Sequence, residues 1–116
     1  MFINLSNHPS DRWSEDQRKA AHSLAGYIQD LPFPQIDPNA SRKDVERLAL
    51  EYFEKIKKYA CPVHVMGEST FVYHFVKLCE QDGIPCYAST TKRVAMENPD
   101  GSKTSVFEFV QFRRYF

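Results

Sequence analysis

Two periods of hydrophobic repetition alternate along the chain. Phe2 to Ser6 ("FINLS") alternates apolar and polar residues, the pattern of a strand. Pro9 breaks it, and Ser14 followed by Gln17 makes a capping-box pattern. The helix predicted there carries Ala20, Ala21 and Leu24 on one face, with Gly26 just past its end. Tyr27 to Phe33 ("YIQDLPF") reads as a short second strand ended by Pro32 and Pro34. Ser41 caps a second helix, in which Val45, Leu48, Ala49, Tyr52, Phe53 and Ile56 recur at helical spacing. "PVHVM" is a third strand, and Phe71, Phe75, Leu78 and Cys79 mark a third helix that stops at Asp82-Gly83. "IPCYAS" is a fourth strand. After Thr91, "KRVAME", the turn Asp100-Gly101 and "KTSVFEFVQF" predict a β-hairpin. In its last arm Val106, Val110 and Phe112 are expected on one face and Phe107 and Phe109 on the other, so the strand is either covered twice or presents a partner surface.

The alternation of strands and helices, followed by a hairpin, predicts one α/β domain over residues 1–116. It reads as a small Rossmann-like three-layer domain: a mainly parallel sheet in the order 2-1-3-4 with a C-terminal β-hairpin. In that order the direction of sheet growth reverses between strands one and three, and a crevice opens at their C-terminal ends.

Charge narrows the functional classes. Fifteen basic and fifteen acidic residues cancel. That argues against coating long nucleic acid, which needs many phosphate contacts. It leaves room for a small anionic ligand and puts little repulsion in the way of self-association, so a homodimer is expected. The three cysteines show neither close pairing nor zinc spacing and read as reduced thiols, hence a cytoplasmic protein. No apolar run approaches the roughly 20 residues that span a bilayer, so no membrane partner is expected. No metal and no cofactor are expected, since His and acid spacing matches no metal motif and neither glycine-rich nucleotide motif occurs.

Candidate chemistry collects at the predicted crevice. Strand one ends in Ser6, Asn7 and His8, and strand three in Gly67, Glu68, Ser69 and Thr70. Gly67 allows a ligand close to the backbone, and Ser69 or Thr70 capping the third helix would leave N–H groups for an anion. Strand four brings Ser89, Thr90, Thr91, Lys92 and Arg93 to the same edge. Hydroxyls and two cations there suit a phosphate or nucleotide. Each residue also has a plainer reading: a helix cap for Ser69 and Thr70, a tight turn for Gly67, a solvated strand start for Thr90 to Arg93. Glu68 could act as a base, orient a ribose hydroxyl or face water. Histidine is the side chain suited to proton transfer at physiological pH, and His8 is the leading candidate. His64 is expected to pack on a sheet face. Trp13 could stack on a base or pack against the first helix.

"FINLSNHPSDRWSEDQ", "DLPFPQIDP", "VMGESTFVYHFVKLCEQDGIPCYASTTKR" and "FEFVQFRRY" resemble a group of small Rossmann-like CRISPR-associated proteins. That group is similar to the CARF-like and ring-nuclease-like accessory proteins that handle cyclic oligoadenylate in type III CRISPR signalling. The resemblance implies a homodimer that binds a cyclic oligonucleotide between two Rossmann-like domains. Some members cleave it without metal, by attack of a ribose 2′-OH on the adjacent phosphate; others only bind it. It implies ligand roles for Ser6, Asn7, Gly67, Ser69, Thr70, Thr90 and Thr91. His8, Glu68 and Arg93 (or Lys92) would carry any catalysis. Two other readings stand beside it: a small nucleotide-metabolising enzyme of base-transfer or glycosidic type, with Glu68 as nucleophile or base in a closed pocket, and a non-catalytic protein-interaction subunit using the aromatic hairpin.

Overall fold

A computed structural model describes all residues, 1–116. Its five strands form one sheet in the order β2-β1-β3-β4-β5. The strands are β1 (Phe2–Ser6), β2 (Ile28–Pro32), β3 (Val63–Met66), β4 (Cys86–Glu97) and β5 (Lys103–Arg114); the helices are α1 (Glu15–Ala25), α2 (Arg42–Ile56) and α3 (Ser69–Gln81). The pairings β1–β2, β1–β3 and β3–β4 are parallel, and β4–β5 is antiparallel. This order differs from the expected one at its end. The predicted fourth strand and the first hairpin arm are one continuous strand, so the hairpin is the edge of the sheet itself.

Two cores fix the layers. Ile3, Leu5, Val63, Val65 and Cys86 face α2 and α3, meeting Val45, Ala49, Phe53, Phe71 and Phe75. On the other sheet face, Phe2, Trp13 and Ala21 pack with Tyr87 and Phe112, beneath α1. The central strand β1 is buried along its whole length. That is expected of a parallel strand covered on both faces.

The helix ends follow the sequence with two differences. Ser14 accepts from the Gln17 N–H. The full reciprocal capping box belongs instead to α2, between Ser41 and Asp44. At α3 the cap is Glu68, not Ser69 or Thr70, which form the helix's first turn.

The far half of the hairpin leaves the body of the protein. β3 pairs with β4 only at Cys86 and Tyr87, so Thr90–Glu97 runs past the sheet edge, about 26 Å at ~3.3 Å per residue. The radius of gyration is 16.0 Å, against roughly 13 Å for a compact chain of this length. A register shift between Thr90 and Thr91 leaves Val110 unpaired. This bulge overturns the expected division of β5: Phe109 and Phe112 share a face, with ring centroids 4.9 Å apart. One extra residue reverses the alternation that the sequence pattern assumed.

Candidate functional site

The sheet edge is a line of residues in register: Pro32, Ser6 and Met66 are paired across β2, β1 and β3, and the Ser89 N–H on β4 donates to Met66 Sδ at 3.3 Å. Above this line lies a shallow cavity of about 380 Å³, lined by Asn7, Phe33, Pro34, Gln35, Ile36 and Glu68. The loops after β1 and β3 therefore meet, as a reversal of strand order requires.

Physical detail changes the role of several predicted residues. Gly67 is needed for packing. A Cβ there would lie 2.4 Å from the Phe33 ring, so the close approach attributed to a ligand is made by the protein itself. The Glu68 carboxylate accepts the Thr70 N–H at 3.0 Å and the Phe71 N–H at 2.8 Å. Those two bonds hold its pKa below the usual carboxylate range. The helix N-terminus expected to receive an anion already holds one. Trp13 is buried, donates from Nε1 to the His8 carbonyl at 2.9 Å and meets His64 and Phe112 edge-on or tilted. Its ring is closed to a stacking ligand.

The predicted cations stand apart from the crevice. Arg93 lies four residues beyond Ser89, about 13 Å along the strand, and donates from Nε to Ser105 Oγ. Lys92 faces Glu108 across the ribbon at 3.8 Å. Thr90 Oγ1 donates to the Gln111 carbonyl. Thr91, Lys92 and Arg93 are exposed. Ser69 and Thr70 line a separate groove between α2 and α3. Within one chain, the structure brings together Ser6, Asn7, His8, Gly67, Glu68 and Ser89, and not the rest.

Beneath the crevice is a polar network that the sequence showed only in part. Asn4 donates to the His8 carbonyl and to Asp30 Oδ1, both at 2.9 Å. Its Oδ1 accepts from Ser6 Oγ at 2.7 Å and lies 2.9 Å from His64 Nδ1. His64 Nε2 lies 3.3 Å from Ser89 Oγ. Asp30 also accepts from the Ser10 N–H and hydroxyl. Asn4 and His64 sit among apolar strand residues, and their inward direction, set by the period of two, is the signal that marks them. The order Ser89, His64, Asn4 is that of nucleophile, base and orienting group. Its surroundings oppose proton transfer. Burial, with a smaller effect from His8, lowers the His64 pKa to about 4, and Asn4 brings no charge to stabilise an imidazolium. His64 is a neutral strut that fixes the β1, β3 and β4 ends to one another. His8, by contrast, is exposed.

One family model matches residues 1–113. The chain belongs to the uncharacterized protein MJ1673 family. No curated protein and no solved structure matches it. The match spans the sheet, all three helices and nearly all of the hairpin, so the crevice and the projecting ribbon both lie within the family's extent.

Two further facts bound the chemistry of this family member. All three cysteines are buried free thiols, and burial raises the Cys61 pKa, while a hydrogen bond with Cys86 and burial raise that of Cys79. No helix is long and apolar enough to cross a membrane.

Proposed function

We propose that the protein binds a cyclic oligoadenylate as a homodimer with a Rossmann-like crevice at its centre. The observation that carries this reading is the division of labour between crevice and ribbon. The crevice offers acceptors: the Asn7 and Gln35 amides and the ionised Glu68. Those suit an adenine amine and ribose hydroxyls, and no basic residue lines that cavity. The phosphates then need cations from elsewhere, and Thr91, Lys92 and Arg93 stand exposed on a ribbon that reaches past the sheet edge. In a two-fold dimer the ribbon of one subunit covers the crevice of the other. Exposed Met96, Phe107 and Val110 supply apolar contact for such a dimer.

Binding is the proposed activity. Cleavage without a metal would run through His8, the exposed histidine next to Asn7 of the crevice lining. Glu68 is a poor base because two N–H groups stabilise its charge. For the same reason the enzyme reading with Glu68 as nucleophile or base in a closed pocket is disfavoured.

Incubation of the purified protein with labelled cyclic tetra- and hexa-adenylate in EDTA tests the reading. A native-gel shift is expected, lost in Arg93→Glu and weakened in Asn7→Ala. Linear products that disappear in His8→Ala would add turnover. Absence of both shift and products over a wide protein range would remove the proposal.

A further inference from the structure

We propose that the groove between α2 and α3 is a second site, which binds a short segment of linear single-stranded nucleic acid. At about 1040 Å³ it is well over twice the size of the crevice, at about 380 Å³. Its charge departs from the neutrality of the chain. Arg42, Lys43, Arg47 and Lys77 line it, opposed by Glu46 alone among acids. Glu46 pairs with Arg42 at 2.9 Å, and Arg47 pairs with Asp44 just outside at 3.4 Å. Lys43 and Lys77 are left without an acidic partner.

The groove also presents what a base needs. Tyr73 is 57% exposed, lies 5.2 Å from the His74 ring and carries the Lys77 ammonium 5.2 Å from its centroid. Ser69 and Thr70 stand at one end of the groove and Gln81 at the other, about 18 Å apart along the helix, room for a few nucleotides. Hydroxyls and amines to hold phosphates, with an exposed ring between them, form the usual combination for single strands. An acidic peptide would satisfy the lysines and leave the tyrosine without a partner. The shortness of the groove agrees with a net charge too low for coating long nucleic acid. Lys43 and Lys77 fall on different helices 34 positions apart in the sequence, which is why no local motif announced them.

The test is fluorescence anisotropy of a labelled 12-nucleotide single-stranded RNA of mixed sequence, titrated with the full chain at low salt. Saturable binding is expected, weakening as salt rises. Lys43→Glu combined with Lys77→Glu should weaken it at least about tenfold, and Tyr73→Ala about tenfold, from the ~1–3 kcal/mol of one stacked base. All three positions are on the surface, so an unchanged melting temperature separates lost binding from lost fold. No saturable binding, or full affinity in the double lysine variant, would overturn the proposal. So would equal binding of a poly-glutamate peptide that is indifferent to Tyr73→Ala. Asn7→Ala should leave RNA affinity unchanged, so failure of the crevice reading and failure of this one are read separately.

Discussion

At the scale of single residues, Gly67 and His64 show how the strand ends are built. Gly67→Ala would drive a methyl group into the Phe33 ring. Overpacking of this kind costs about 1–3 kcal/mol, and denaturant unfolding should show that loss. The loss should shrink in a Phe33→Leu background, where the clash is relieved. His64 makes a prediction about pH. Its folded pKa, about 4, lies below the ordinary 6.5. Between those values the unfolded chain takes up a proton that the folded chain refuses, so stability is complete above about pH 6.5 and falls as pH drops towards 4. The slope inside the window approaches about 1.4 kcal/mol per pH unit, for a total on the order of 3 kcal/mol. Carboxylates held by hydrogen bonds, such as Glu68 and Asp100, lose stability in the same direction. The measurement is therefore the difference between the parent and His64→Gln, whose profile should be flatter across the window. Parallel profiles would remove His64 as the cause.

At the scale of elements, the periodic segments were legible and their junctions were not. α2 could be read from its apolar stripe because every residue of that stripe meets one core. The cap of α3 could not. Ser69, Thr70 and Glu68 are all competent acceptors, and propensity favours the hydroxyls. The carboxylate is the one that reaches two N–H groups. Glu68→Ala should accordingly cost about 0.5–2 kcal/mol in thermal or chemical unfolding, whereas Ser69→Ala should be close to neutral. The reverse ranking would contradict the assigned cap. The bulge in β5 was equally hidden. Neither Thr90, Thr91 nor Val110 is a residue that signals one, and a single unpaired position was enough to move Phe112 onto the face of Phe109. Of the candidate site, the two loops after β1 and β3 were legible from strand order. Of the two readings of Trp13 the packing one holds: the ring is buried with Ala21 of α1 and its Nε1–H finds a carbonyl inside the protein. Arg93 was misplaced because β4 does not stop at the sheet edge.

At the scale of the whole molecule, the ribbon is the feature that a monomer does not explain. A two-stranded ribbon is marginal alone in water, and this one exposes Phe107 at 69% and Val110 at 52%. With no net charge to hold copies apart, a second copy is the proposed cover. Phe107→Ser with Val110→Thr should halve the mass seen by light scattering and leave the melting temperature of the body nearly unchanged. An unchanged mass would place the interface elsewhere. One ligand held between two chains is the central proposal, and calorimetric titration with cyclic tetra-adenylate in EDTA measures that directly. Saturation at one ring per two chains, abolished by Arg93→Glu, is the predicted result; saturation at one ring per chain, or no heat of binding, would contradict it.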